Sequence, residues 1–369
     1  MPPPASAATY RRRRRLFAIS ALLVVVLAAV LLARGSGSSA GPSGAAPHSA
    51  AGAASPGKRP ARHSPPGGPS LAGIPVDRWV TLAPSGLSRG EVSATRVGSY
   101  AYVVGGFAAA NGGQSSAAVE RLNLRTGRWS SSTPLPQPLN HMSAAGFGSD
   151  LYVVGGYSQS ADTSAGAVRA FWRFSPATGR WTQMPDAPVA RAAAGAAVID
   201  HRLYVAGGRN DSNPTLSSLA VFDFDSGQWS LGPSLHHARE HVAATAAGGA
   251  FYVLGGRALG QGNFTDVERY RPGDAAWQRI ASMPVARAGF QAAEASGRVI
   301  AVGGEGPAGT IAQVNALDPA TGRWRQLGSM PTPRHGLGVV ADGPLVWAME
   351  GGPLPGLTTS RVVERLRVP

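Results

Sequence analysis

Apolar residues are distributed along this chain in two ways. From Leu16 to Ala33 they run for 18 positions without a charge, Ser20 being the only polar member. From about residue 74 onward they form short runs that return at a fixed interval, each closing on a pair of glycines, as in Tyr102-Val103-Val104-Gly105-Gly106. The pairs are Gly105/Gly106, Gly155/Gly156, Gly207/Gly208, Gly255/Gly256, Gly303/Gly304 and Gly351/Gly352. Between them lie a short apolar stretch such as Val119-Glu120-Arg121-Leu122, a Gly turn, and one of the tryptophans Trp79, Trp129, Trp181, Trp229, Trp277 and Trp324. From each Trp to the first Gly of the next pair is 26 residues five times and 27 once. A period near 50 residues held this strictly marks a repeat architecture.

Each repeat reads as four short strands. The first follows the prolines after a Trp, as in Ala192 to Asp200. A tight turn such as Gly98-Ser99 or Asp342-Gly343 leads to the second, which ends on the Gly pair. The third is short, as in Ala170 to Phe174, and the Trp opens the fourth. Gly127, Gly179, Gly227 and Gly322, each two before a Trp, suit the left-handed position of a short hairpin loop. The Gly pairs mark positive φ or close backbone approach. Tyr102, Tyr152, Tyr204, Tyr252 and Trp347 in the second strands, and the periodic Trp set, read as core packing. Trp79 precedes every Gly pair, and the last pair is followed by one strand (Val362 to Leu366) and no Trp. The N-terminal strand is therefore expected to complete the sixth unit and cover its edge.

Gly-Gly, an aromatic and a Trp at these offsets resemble the Kelch repeat over residues 74–369. The resemblance implies an all-β fold: a six-bladed Kelch β-propeller of four-stranded blades, of the type at the centre of galactose oxidase. Kelch domains range from protein-interaction modules to a few enzymes, so the resemblance implies a fold more than an activity. The radical copper chemistry of the galactose oxidase family uses a Cys–Tyr crosslink, and this chain has no Cys. Bacterial sialic-acid epimerases are also six-bladed Kelch proteins that act outside the cytoplasm, which makes an extracytoplasmic sugar-acid epimerase or mutarotase the alternative reading.

Ahead of the repeats, residues 1–15 are a basic tail carrying the run Arg11 to Arg15, and 16–34 read as a transmembrane signal-anchor helix. The 18 uncharged residues would span about 27 Å, close to a hydrocarbon core. Five Arg before the span and Arg34 after it put the N-terminus in the cytoplasm and the rest outside. A cleaved signal peptide, with Ser38-Ser39-Ala40 as its small-residue site, gives a secreted alternative. Residues 35–73, rich in Gly, Ser, Ala and Pro, read as a disordered linker with a reach of roughly 35 Å.

Charge changes the picture less than its total suggests. The formal net charge is +14. Residues 1–76 hold eight Arg, Lys58 and no acid, so the repeat region contributes only about +5. Nucleic-acid binding is therefore not expected of the folded domain. The single Lys against 33 Arg, with abundant Ala, Gly and Pro, suits a bacterial source.

Ten residues after each Trp stand Arg89, Leu139, Arg191, Arg239, Arg287 and Arg334, with Glu91, His141, Glu240, His241 and His335 just beyond. Five guanidiniums facing one axis would attract carboxylate, sulfate or phosphate. Their recurrence equally suits ties between blades through backbone carbonyls. His141, Glu240, His241 and His335 do not recur with the repeat and are the better ligand candidates. His237-Ala238-Arg239-Glu240-His241 matches H-x-x-E-H, but that zinc signature needs a helix to bring both His to one face, and here it enters a strand. No metal, cofactor or catalytic residue is expected. The reading is an exported, membrane-tethered monomer that binds a protein or an acidic glycan at its loop face without catalysis.

Overall fold

The computed structural model describes residues 73–108, 112–159 and 166–369. Among them are six four-stranded antiparallel sheets. Blade 1 takes its strands in order from Ser93–Val97, Tyr100–Val104, Val119–Asn123 and Trp129–Ser131. Blades 2 to 5 repeat this order, with innermost strands Ser143–Phe147, Gly195–Ile199, Ala243–Ala247 and Gln291–Ala295. Blade 6 runs Gly338–Asp342, Leu345–Met349 and Val363–Arg367, and its outermost strand is Trp79–Thr81, with Trp79 opposite Leu366. The strands begin within a few residues of where the patterning places them. No helix among the described residues is long and apolar enough to cross a membrane; the Leu16–Ala33 span and all but the last residue of the 35–73 linker lie outside the described residues.

The alternation of inward and outward side chains does not bury one face alone, because each sheet has a neighbour on both sides. Six apolar clusters fill the six junctions. One joins Val103 and Leu122 of blade 1 to Trp347 and Val363 of blade 6, which makes the arrangement a ring. The second-strand aromatics Tyr102, Tyr152, Tyr204, Tyr252 and Trp347 are buried in these layers. The periodic Trp set packs against these layers as expected, but from their margin. Only Trp277 is fully buried; the others lie half-buried at the outer rim. Their indole N–H groups give the reason. Trp79, Trp181, Trp229, Trp277 and Trp324 donate to the carbonyls of Gly328, Thr133, Pro185, Pro233 and Ala281, each four residues past the preceding repeat's Trp. A half-buried indole joins two blades by its polar edge as well as by its area.

The Gly pairs make the second junction. Gly106, Gly156, Gly208, Gly256 and Gly304 each donate N–H to the carbonyl of the next repeat's residue 139, 191, 239, 287 or 334 at 2.8–2.9 Å. At Gly155 a Cβ would stand 2.2 Å from the Arg191 carbonyl oxygen, so the pair is held to glycine by close approach as well as by φ of 68° and 101°. The sixth pair departs from the expected register. There Gly351 donates to the Arg89 carbonyl, so Glu350, with φ 58°, holds the position that the first Gly occupies elsewhere. Glu350 is also the residue 26 after Trp324, which accounts for the single spacing of 27.

Candidate functional site

Each innermost strand is entered through three consecutive positions, and their roles separate cleanly. The first is the recurring Arg. Arg89, Arg191, Arg239, Arg287 and Arg334 are at most 2% exposed and lie within the blade walls rather than at an open mouth. Their guanidiniums turn to the carbonyls of their own blade: Arg89, Arg191 and Arg287 each donate to the first Gly of the pair (Gly105, Gly207, Gly303) at 3.0 Å. Three are also ion-paired to a glutamate in the third strand, Arg89 to Glu120, Arg239 to Glu268 and Arg334 to Glu364, at 3.1–3.3 Å. Arg287 instead meets Asn315 Oδ1 at 2.8 Å and Arg191 meets Ser218 Oγ at 3.0 Å. In blade 2, Leu139 replaces the Arg and Trp172 stands where the glutamate would be. Burial without a carboxylate partner lowers Arg191 and Arg287 to about 10.

Arg89 also contacts Glu350 at 3.0 Å, across the junction of blades 1 and 6. Burial pushes the Glu350 carboxyl up to about 7, with Glu120 adding repulsion and Arg89 opposing both. The folded protein thus holds a proton that the unfolded chain, with an ordinary value of 4.5, releases. The associated stability is present below about pH 4.5 and is lost as pH rises through 7. Glu350→Gln is expected to remove that decline, giving melting temperatures that vary less between pH 5 and 7 than those of the wild type.

The second position pairs with the residue at the start of the loop between strands two and three: Asn140 with Tyr157, Ala192 with Arg209, Glu240 with Arg257, Ala288 with Glu305, and His335 with Gly352. Ring entry and inter-strand loops therefore share one face. Two of these loops form small hairpins, Arg257–Ala258 with Gly262–Asn263 and Glu305–Gly306 with Gly309–Thr310.

The third position is Glu91, His141, Ala193, His241, Gly289 or Gly336, all with φ between 50° and 62°. Backbone hydrogen bonds run around the axis through them: His141 N to Glu91 O, Ala193 N to His141 O, Gly289 N to His241 O, Gly336 N to Gly289 O, and Val92 N back to Gly336 O, at 2.8–3.2 Å. Beneath this hoop the innermost strands enclose a channel cavity of about 390 Å³, walled mainly by Ala, Ser and Thr.

Three side chains meet at the hoop. His141 Nε2 is 3.1 Å from His241 Nε2 and 3.3 Å from Glu91 Oε2. His335 Nδ1 lies 3.2 Å from the other Glu91 oxygen, off the line of a good hydrogen bond. Glu240 accepts from His241 Nδ1 and, at 2.7 Å, from Arg257 Nε, while Arg257 Nη1 reaches Glu305 at 2.6 Å. Burial would raise Glu91, but the imidazoles of His141, His335 and His241 hold it well below the usual carboxylate range. Burial would likewise raise Glu240, yet His241 and Arg257 bring it down to about 2. Burial takes His141 down to about 4, so it is neutral near pH 7. In His335 burial is outweighed by Glu91, and its value rises.

The sequence-predicted residues thus separate into two groups. His141, Glu240, His241 and His335 come together with Glu91 at the axis, whereas the five Arg stay in the walls. His237, the other end of the H-x-x-E-H motif, lies apart, 3.6 Å from Asp266. Sequence reading missed Arg257 and Glu305. Both directly follow a Gly pair, a position that otherwise holds Phe107, Tyr157, Arg209 or Pro353, and that variability against a constant frame was the available signal.

Fold and ring together define a six-bladed β-propeller of four-stranded blades, with an asymmetric charged cluster at one end of its axis. The chain belongs to the KLHDC2/KLHL20/DRC7 Kelch-repeats domain family, which it matches over residues 78–234 and, overlapping, 141–352. Among solved structures, that of YjhT resembles it with a TM-score of 0.64 at 17% identity, over 76% of this chain and 95% of that one, a likeness of fold. No curated protein matches it in sequence.

Proposed function

We propose that this chain is an exported, membrane-tethered Kelch propeller that binds a partner protein, without catalysis, through the face carrying the axial cluster and the loops between strands two and three. The observation that carries this reading is the contrast between a frame repeated six times and a set of charged residues that does not repeat, gathered where the loops differ most. The five ring arginines are buried and taken up by partners within their own blades, Arg89 alone also reaching the next blade at Glu350, which leaves them unavailable to an anion and makes an acidic glycan the weaker occupant. Pairing of the N-terminal strand with Val363–Arg367 closes the ring.

Pull-down from the extracytoplasmic fraction tests the binding face. Glu305→Ala with Arg257→Ala is expected to lose partners that the wild type retains, with the melting temperature within a few degrees. Retention of every partner by this variant would sink the reading, and recovery of acidic glycans on an array instead of proteins would redirect it. A reporter fused after residue 369 is expected to signal outside the cytoplasm, because the Arg11–Arg15 run holds the N-terminus inside. A cytoplasmic signal would remove both anchor and signal peptide.

A second reading, a sugar-acid epimerase or mutarotase, is favoured by one observation: carboxylates and imidazoles gathered at one end of the axis with shifted proton affinities, Glu240 lowered by His241 and Arg257 and His335 raised by Glu91. Anomeric or epimeric exchange of acidic sugars followed by NMR separates it from a binder.

A further inference from the structure

The axial contact between His141 and His241 has an unusual hydrogen inventory. His241 Nδ1 faces the carboxylate of Glu240 and therefore carries the hydrogen. His141 Nδ1 faces Asn140 Oδ1. That amide is fixed in orientation, since its Nδ2 donates to Ser115 Oγ at 2.7 Å and to the Gln159 carbonyl at 3.1 Å. Both imidazoles thus have their hydrogen on the outer nitrogen. Their Nε2 lone pairs face each other across 3.1 Å, with a Glu91 oxygen 3.3 Å from one of them. Three electron-pair donors converge; the one hydrogen that approaches them is the Arg257 Nη2–H, 3.3 Å from His241 Nε2 at the edge of the group, and none lies between the two imidazoles, so a positive centre is called for there.

We propose that Glu91, His141 and His241 form a site for one divalent transition-metal ion of the zinc or cobalt type, held on the propeller axis. The ligand atoms all lie within 4.8 Å of one another. Metal–ligand bonds near 2.0–2.1 Å require ligand-to-ligand edges of about 2.9–3.4 Å between right-angled and tetrahedral arrangements, and the two measured edges fall inside that range. The outer shell has the form that metal-bound histidines take elsewhere, each donating its second nitrogen to a carboxylate or amide oxygen that fixes tautomer and ring angle. Charge agrees with the geometry. Arg257 is already shared between Glu240 and Glu305, while Glu91 meets only imidazoles, so its carboxylate has no guanidinium partner. Arg257 Nη2 stands 3.3 Å from His241 Nε2 and would move off that lone pair when the ion binds.

The other half of the hoop is Ala193, Gly289 and Gly336, and beside the three ligands is a cavity of about 30 Å³. That is roughly one water's share of the liquid. Three protein ligands with a solvent-filled fourth position is the arrangement of zinc sites that act on a bound molecule, rather than of closed structural sites. The site is independent of which partner the loops take. It also differs from the H-x-x-E-H reading, since it uses His241 without His237.

The test is metal binding by the full-length protein, stripped with chelator and dialysed against Zn²⁺, with Co²⁺ as the spectroscopic probe. The expected result is one Zn²⁺ per chain, visible d–d absorption with Co²⁺, and a rise in melting temperature with either ion. His141→Ala and His241→Ala are each expected to weaken Zn²⁺ binding by roughly 100-fold or more, and Glu240→Gln by about 10–100-fold through loss of the outer hydrogen bond. His237→Ala is expected to change nothing. Failure of the wild type to bind either ion stoichiometrically would overturn the proposal and leave a shared proton as the joining charge. Equal binding by the two histidine variants, or loss of binding in His237→Ala, would overturn it as well.

Discussion

Deletion of residues 74–83 is expected to destabilise the propeller far beyond the loss of ten terminal residues. The segment supplies the outermost strand of blade 6, buries Ile74 and packs Trp79 and Leu82 against two of the apolar layers. Asp77 adds polar ties, accepting from Gly328 N at 2.8 Å while its own N–H donates to the Arg367 carbonyl at 2.8 Å. Losing three large apolar contacts at about 1.5–3 kcal/mol each takes a substantial share of a typical stability of roughly 5–15 kcal/mol. It also bares the edge of Val363–Arg367, whose Leu366 is fully buried in the intact protein, and so invites edge-to-edge association. A fall in melting temperature on the order of 10 °C, or aggregation, is the expected result by calorimetry and light scattering. A truncated domain that melts and elutes like the parent would mean that the ring holds without this strand.

Substitution of Arg334 by Leu is expected to cost about 3–5 kcal/mol, because Glu364, with no exposed side-chain surface, would keep its charge without the guanidinium 3.2 Å away. Adding Glu364→Leu is expected to recover most of that loss. Blade 2 already combines Leu139 with Trp172 at the equivalent places, so the fold accommodates an apolar pair there. Urea denaturation of the two single variants and the double gives the coupling directly. A cost below about 1 kcal/mol for the single change, or strict additivity in the double, would show that the arginines are not ties.

These two expectations rest on features that were unequally visible in the sequence. The ring was legible because Gly-Gly and Trp are demanded by the frame: a Cβ at Gly155 collides with a carbonyl, and each bonded Trp reaches one fixed neighbour. Repetition betrays such needs. It also conceals departures, as at Glu350, where a conspicuous Gly351/Gly352 pair stands one residue out of register and only the spacing of 27 signalled it. The arginines were legible as a set, but their direction was not. Whether a guanidinium faces the axis or the wall depends on carbonyls of its own blade and on third-strand partners (Glu120, Ser218, Glu268, Asn315 and Glu364) about 30 residues further along the chain. The axial cluster was least visible, since Glu91, His141 and His241 come from three repeats and touch only after the ring forms. Arg257 and Glu305 join it from hairpins inserted behind the Gly pairs.

The hoop at the axis works like a dial with six settings. Its backbone is the same at every position, so the identity of the side chain is nearly all that distinguishes one setting from the next. Three are written, as Glu91, His141 and His241. Of the rest, Gly336 is locked, because a Cβ there would press within 2.8 Å of the Glu91 backbone nitrogen. Ala193 already carries a Cβ at the left-handed φ, and a Cβ at Gly289 would meet nothing closer than 3.6 Å. Single codon changes at 193 and 289 can therefore bring a fourth or fifth functional group to the axis without disturbing a blade, a cheap route by which one ring of sheets acquires new chemistry over evolutionary time.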